Sequence, residues 1–467
     1  MERLCARFLR CSEYGITGRT IGMDLRESLL TGQKKIGVWG IGHIGYSSMS
    51  HYAERGVRCI GYDVNTQTVE IVNRGDSPVF NMDYWLGFTP GPLYTSGMAG
   101  ATSDWRELVR PEVAVHFICV PTERGGHPDL GPLMETCQRL ARYKEQSLED
   151  PPLVIIESTL TPGTIDKEVI PFFENHGLRL GKDMLLGCSP RRDFFTSPEK
   201  SMRYIHRVYG GADDRTAEAM RQVLSLACQN LVKSPDHHYA EAVKSIENAY
   251  RQLGVALAFE LSRAYPNLDM RKVLELVGTK WNMETYYPSL GVGGYCLPVS
   301  SHYVIEGAER PDELKLLRQT IVSSEAQPGL VAASLVRRGA KNVGILGLSY
   351  MHNIRVHTMS PTLEVARLLT DAGAQVQIND PLYTAEEVRS IAGVPYFTYP
   401  KGLRAFDTVL VVDGHRQYHT VDHGTLLANL ERCKLVIDNA QLWRDVNFSS
   451  RGIEYHATGD AGWLGRQ

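Results

Sequence analysis

The chain has 467 residues, too many for one ordinary core, so two or three domains are expected. A hydrophobic content of 43% and a formal net charge of −3 describe a nearly neutral globular protein without the basic stripe of a nucleic-acid binder. Its nine cysteines are dispersed and form no CxxC, which excludes a zinc ribbon or a disulfide framework and fits a reducing cytoplasm.

Residues 1–33 lack the apolar core of a signal peptide and read as a tail, with Met23 as an alternative start. No stretch of the chain approaches the roughly 18 apolar residues of a membrane span. From Lys34 the pattern changes. KKIGVWG reads as a buried parallel strand, GIGHIGYSSMSHYAERG as a turn and helix, and VRCIGYDVN as a second strand ending in an acid. That order makes a βαβ unit in which Gly40, Gly42 and Gly45 form GxGxxG, with His43 and Ile44 between them. The first glycine permits the tight turn, the second admits a pyrophosphate, and the third lets helix and strand approach. Asp63 would accept hydrogen bonds from ribose hydroxyls and repel a 2′-phosphate, so NAD is expected rather than NADP.

VAVHFICVPT and LVIIEST are further buried strands running into loops, which extends a doubly wound sheet with sites at the carboxyl ends of its strands. Residues 240–265 predict one long helix with an apolar stripe through Val243, Ile246, Leu253, Leu257 and Leu261. Apolar character on more than one face points to packing against another subunit. GVGGYCLPVS comes next, where Cys296 is either a nucleophile on a bare backbone loop or a cysteine beside a turn. After Arg337, KNVGILGLSY, PTLEVARLLTDAG, VQIND, TVLVVDG and KLVIDNA restore the α/β rhythm. The expected plan is therefore α/β, with a tail (1–33), a Rossmann domain (34–233), a central helical segment carrying the cysteine loop (234–336) and a second Rossmann-like domain (337–467).

In order, GIGHIG with Asp63, CVPT (119–122), ESTLTPGT (157–164), CSPRR (188–192), AEAVKSIENAYR (240–251), GVGGYCLP and GLSYMHN (347–353) resemble the nucleotide-sugar dehydrogenases. These include the UDP-glucose and UDP-N-acetylmannosamine 6-dehydrogenases, and GVGGYCLPVSSHY is closer to the N-acetylhexosamine branch. The resemblance implies oxidation of a sugar C6 alcohol with two NAD, a homodimer or higher homo-oligomer, and a nucleotide-sugar substrate. It gives Cys296 the role of capturing the aldehyde, Lys244 that of stabilising oxyanions or shuttling a proton, and Asn248 that of holding water or oxygen. Lys244 and Asn248 lie four apart on one helical face, which without the resemblance reads as a solvated face. Thr159 is expected on the water network. Val120, Pro121 and Thr122 are expected at the cofactor, although either threonine reads equally as a turn hydroxyl. Arg191, Arg192, Arg251, Tyr287, Gly291, Gly293 and Gly294 are expected on the substrate.

Several family positions are replaced. The glutamate of SPER is Arg191, and the aspartate four residues after the cysteine is Ser300. The lysine of GLAFK is Met351, the aspartate and arginine of DxRES are Val356 and Thr358, and IDxR ends in Asn439-Ala440. Without a carboxylate as general base, worth roughly 10²–10⁴-fold, hydrolysis of a thioester is expected to slow. Arg191 and Arg192 would instead favour an anionic group near the sugar. The phosphate grip is then lost unless Arg355 or His357, in the same loop, replaces it, and both read more simply as surface residues. The resulting reading is an NAD-dependent dehydrogenase with altered substrate or incomplete oxidation. An ordinary acid-forming UDP-sugar dehydrogenase and a non-catalytic nucleotide-binding homologue are the alternatives.

Overall fold

The computed structural model describes residues 25–146, 150–195, 197–460 and 462–464. The apolar runs read as strands form β1 (Lys35–Trp39), β2 (Cys59–Tyr62), β3 (Ala99–Thr102) and β4 (Val113–Ile118). A small antiparallel hairpin, β5 (Glu123–Arg124) and β6 (His127–Pro128), comes after them. Then come β7 (Leu153–Ile156), β8 (Leu185–Cys188), β9 (His206–Gly211) and β10 (Asn230–Lys233). Eight of these strands form one sheet in the order β10-β9-β8-β7-β4-β1-β2-β3, parallel except where β8 meets β9. All four residues of β7 are buried, which explains why LVII shows no alternation: helices cover both faces. Each such side chain contributes roughly 1.5–3 kcal/mol on burial.

A second sheet is fully parallel. Its strands are β11 (Asn342–Leu346), β12 (Gln375–Asn379), β13 (Thr408–Val411), β14 (Leu435–Asp438) and β15 (Glu454–Ala457), in the order β12-β11-β13-β14-β15. Both sheets reverse direction beside their first strand, at β1/β4 and β11/β13, and such a switch point opens a crevice at the carboxyl ends of the strands. In the first sheet Trp39 pairs with Ile118, so GIGHIG and CVPT leave the sheet side by side.

Five helices position the functional side chains. α1 (His43–Glu54) follows β1; α2 (His237–Ala264), α3 (Cys296–Gly307) and α4 (Lys315–Arg337) connect the two sheets; α5 (Pro361–Asp371) follows β11. The long helix forms as the periodicity predicts, but its burial is inverted. The face packed inside this chain is rich in polar groups, including Glu241, Lys244, Ser245, Asn248 and Gln252. Ile246 and Leu257 of the apolar stripe, and Tyr250 near them, are exposed. Only the end of the segment read as a tail is described, and it is not one. Leu25–Leu30 is a helix whose Leu29 is fully buried, anchored where the Lys34 N–H donates to Ser28 O at 3.0 Å. No helix among the described residues is long and apolar enough to cross a membrane.

Candidate active site

The first glycine loop is built by close approach. A Cβ on Gly45 would lie 1.8 Å from Gly40 O, and Gly40 itself takes φ +86° beside Cys119 O. α1 starts at His43 with Gly42 as its N-cap, so no side chain caps its free N–H groups. A Cβ at Gly42 would meet nothing within 4 Å. An uncapped helix N-terminus opening on free space fits a pyrophosphate. The half-buried Asp63 accepts from the Ile41 N–H at 2.8 Å and the Asn65 N–H at 2.9 Å, which holds its carboxylate at the edge of this loop. His43 is flanked by the rings of Trp85 and Phe195, with centroids at 6.2 and 5.9 Å.

Across the switch point the CVPT and EST loops are fastened to each other. Ser158 Oγ donates to Val120 O at 2.7 Å, and Thr122 Oγ1 donates to Thr159 O at 2.6 Å. Tyr303 Oη, on α3, donates to Thr122 O at 2.5 Å. Thr122 is thus a turn hydroxyl that fixes two loops, while Pro121 is exposed. The Thr159 hydroxyl has no partner among the described residues, so it remains available.

The chemical residues meet where α2 packs on α3. Asn248 Nδ2 donates to Ser300 Oγ at 3.0 Å, and Ser300 Oγ donates to Cys296 O at 2.5 Å. The serine standing at the family's aspartate position therefore ties the cysteine turn to the Asn248 side chain. Asn248 Oδ1 is buried without a partner, leaving an acceptor for a bound hydroxyl or water. One turn earlier Lys244 is 8% exposed, and its ammonium makes no hydrogen bond or ion pair among the described residues. A buried cation without a counter-charge is costly, which is expected of a group kept for a ligand. Glu241 anchors this turn by accepting from Gly163 N and Ile165 N, both at 3.0 Å; burial raises its carboxyl to about 7. Arg251, on the same face and half-buried, lies over Phe194 with its guanidinium 5.6 Å from the ring centroid.

Cys296 is the first residue of α3 and the one exposed cysteine among the described residues. The glycines before it serve a purpose that the sequence did not show. A Cβ on Gly293 or Gly294 would sit 2.5 or 2.6 Å from Tyr350, so both lie against that ring rather than presenting bare backbone to a substrate. Gly294 also donates to Thr358 O at 2.9 Å, and Gly291 is packed on Pro328 and Pro361. Tyr350, unforeseen from sequence, is half-buried near Cys296 and Arg251, and desolvation raises its phenol to about 12, with the cysteine adding to the rise.

Arg191 requires a correction. Its side chain is 2% exposed and donates to Ser47 Oγ at 3.1 Å, Ile44 O at 3.3 Å and Asp193 Oδ2 at 2.6 Å. It also lies 3.5 Å from Glu157, which in turn binds Arg207. Two arginines and two carboxylates thus form a neutral buried cluster beneath α1, with none of Arg191 left for an anionic sugar. The cost of taking these charges out of water is offset only because every one is paired and hydrogen-bonded. Arg192 is half-exposed but engaged by Glu247 at 2.7 Å and His206 O at 2.9 Å. Tyr287 lies under Arg271, whose guanidinium is 4.4 Å from its ring centroid. Arg355 donates to Leu382 O at 2.8 Å and pairs with Glu387, while His357 bonds the Tyr383 hydroxyl at 3.3 Å. Neither is a free phosphate grip.

Comparison with known proteins agrees with this organisation. Three domains of the UDP-glucose/GDP-mannose dehydrogenase family match in order: the NAD binding domain over residues 34–226, the central domain over 238–325 and the UDP binding domain over 344–445. The chain is 25% identical to a UDP-N-acetyl-D-mannosamine dehydrogenase of Pyrococcus horikoshii, over 90% of this chain and 99% of that one. It is 26% identical to a UDP-N-acetyl-D-glucosamine 6-dehydrogenase of Pseudomonas aeruginosa, over 82% and 91%. In fold it is similar to the solved UDP-D-ManNAc dehydrogenase of P. horikoshii, with TM-score 0.79 at 23% identity, covering 92% of this chain and all of that one. A UDP-glucose dehydrogenase from Pyrobaculum islandicum gives the same TM-score at 24% identity, over 91% and 98%. With its uncapped glycine loop, its loop-bound acid and these three domains in sequence, the chain belongs to the UDP-glucose/GDP-mannose dehydrogenase family, NAD-dependent oxidoreductases that act on CH–OH groups.

Proposed function

We propose that this chain oxidises the C6 alcohol of a UDP-linked N-acetylhexosamine and that the second, acid-forming half of the reaction is slow. The observation that carries this reading is the Asn248–Ser300–Cys296 link, which ties the backbone of the turn bearing an exposed cysteine to the helical face that carries a free amide oxygen and the unpaired Lys244. The Gly42–Gly45 turn and the Asp63 edge would hold NAD, which would supply the hydride acceptor. Lys244 would donate a hydrogen bond to the substrate oxygen and stabilise charge on it as the C–H bond is broken. Asn248 Oδ1 would accept a hydrogen bond from the hydroxyl, and the hydroxyl proton would pass to water. The Cys296 sulfur would add to the aldehyde carbon, a proton passing to the former carbonyl oxygen, to give a thiohemiacetal, and loss of a second hydride to a second NAD would convert it to a thioester. Water must then attack that thioester. Arg191 is engaged in the buried cluster and Ser300 in the turn, so neither replaces the family carboxylate as a general base. The N-acetylhexosamine preference rests on GVGGYCLPVSSHY and on the names of the relatives.

The outward stripe of Ile246, Tyr250 and Leu257 supports a homodimer built on α2, as the apolar half of an amphipathic helix needs a cover. The test of function is NADH formed per sugar consumed across a panel of UDP-hexoses and UDP-N-acetylhexosamines, with intact mass recorded during turnover. The expected result is a rapid first phase and an acyl adduct on Cys296. Two rapid NADH with no adduct mean an ordinary acid-forming dehydrogenase, and activity on no UDP-sugar sinks the substrate assignment.

A further inference from the structure

Away from the reacting groups, the start of α2 gathers three side chains that the proposed reaction does not use. Asp166, in the helical turn Ile165–Val169, receives both imidazoles of the first two α2 residues on its carboxylate. His237 Nε2 lies 2.9 Å from Asp166 Oδ1, and His238 Nε2 contacts Asp166 Oδ2. One nitrogen from each ring and one carboxylate oxygen lie within 4.8 Å of one another. The two rings are stacked, with centroids 4.1 Å apart and planes at 28°, so their Nε2 atoms face the same side.

A second observation concerns orientation. The other nitrogen of His238, Nδ1, is 3.0 Å from Asp236 Oδ1, and Asp236 also caps the helix by accepting from the His238 N–H at 2.9 Å. A carboxylate behind one imidazole nitrogen, with the opposite nitrogen turned to a second carboxylate, is the arrangement that orients histidine toward a metal and raises its basicity. His237 lacks such a partner, its Nδ1 being buried and bonded to nothing among the described residues, which makes it the weaker nitrogen ligand. Without a cation, His238 can donate to both of its carboxylates only as an imidazolium. A divalent cation would take the place of its Nε2 proton and that of His237.

We propose that Asp166, His237 and His238 form a divalent-cation site, with Asp236 as the residue that orients His238. Two imidazoles and a carboxylate suit Zn²⁺ and its first-row neighbours, and the exposure of His238 and Asp166 leaves further positions to water. The site is remote from the chemistry: Lys244 lies seven residues beyond His237, roughly 10 Å along the helix. Its effect is to clasp two elements. Asp166 follows the loop that carries Thr159, and α2 carries Lys244 and Asn248. Glu241 already joins these elements through Gly163 N and Ile165 N. The cation would be a second fastener between them, holding Thr159 in place relative to the long helix.

The test strips the full-length chain with chelator and titrates Zn²⁺ by calorimetry, with Co²⁺ as the spectroscopic probe. A Cys296→Ser background keeps the exposed thiol from binding the metal. One equivalent is expected, with Co²⁺ bands free of thiolate charge transfer and a rise in melting temperature. Asp166→Asn and His238→Gln should each weaken binding about 100-fold. Asp236→Asn, which keeps a helix cap, should weaken it about 10–100-fold. His238 is half-exposed, so its variant is expected to fold even if Asp166→Asn does not. Absence of saturable binding up to millimolar Zn²⁺ overturns the proposal. So does binding that His238→Gln leaves unchanged.

Discussion

The two α/β halves begin with the same device and use it differently. In each, an acid at the end of the second strand accepts from the backbone of the loop that leaves the first. Asp63 takes the Ile41 N–H at 2.8 Å, and Asp380 takes those of Leu348 and Ser349, both at 2.9 Å. In the first half the loop enters α1 after three residues, and the helix N-terminus stays uncapped. In the second the loop runs on to Pro361, where Ser360 accepts from Thr362 N and Gly291 packs against Pro361. Asp63 is half-buried and can serve a ligand, whereas Asp380 is fully buried and paired with His415 at 3.1 Å. One half keeps a helix end free for phosphate; the other spends its loop, through Tyr350 and Thr358 O, on supporting the cysteine turn.

The sharpest way to break this comparison is Gly45→Val. Its Cβ has no room beside Gly40 O, so NAD binding measured by fluorescence titration should be lost. Gly347→Ala, at φ +108° against Asp413, should lower the melting temperature while leaving NAD affinity intact. Next come the acids. Asp380→Asn breaks a buried pair and should cost about 3 kcal/mol in denaturant unfolding, with the KM for NAD unchanged. Asp63→Asn should instead raise that KM about tenfold at little cost in stability, since a charge-assisted hydrogen bond contributes roughly 1.5–3 kcal/mol.

A pH experiment also separates the halves. Burial, aided by Asp380 and opposed by His415, raises the Asp413 carboxyl to about 7. A carboxyl that holds its proton more tightly when folded contributes stability that is complete below its unfolded pKa, near 3.8, and lost as pH rises through about 7. Asp413→Asn should therefore flatten the fall of melting temperature between about pH 4 and 7, measured by calorimetry. The smallest effect is expected from Ser300→Ala. It removes one neutral link between Asn248 and the cysteine turn, worth about 1 kcal/mol, and should lower kcat/KM about fivefold with the fold unchanged.

The local grammar of the fold was legible: a strand, a glycine turn, a helix and an acid announce β1 through Asp63, and periodicity announces α2. Lys244 and Asn248 were singled out by the resemblance of AEAVKSIENAYR, and both side chains are buried on one face of α2. What escaped depends on contacts between distant segments. Arg191 read as a group facing substrate because its partners Ser47, Ser48 and Glu157 are far from it in sequence. The Gly293-Gly294 pair read as bare backbone because Tyr350 arrives from the other half of the chain. The clustering of Asp166 with His237 and His238 likewise needs the sheet to bring two loops together.

The neutral cluster beneath α1 also limits how this chain can change. Restoring the family's glutamate at 191 by a single substitution would leave Glu157, Asp193 and the new acid sharing Arg207 as their nearest cation in a site closed to water. Such a chain would lose roughly 3–5 kcal/mol of stability to uncompensated buried charge. Arg191 and Asp193 therefore act as one unit: a carboxylate at 191 is tolerable only with a neutral or basic side chain at 193.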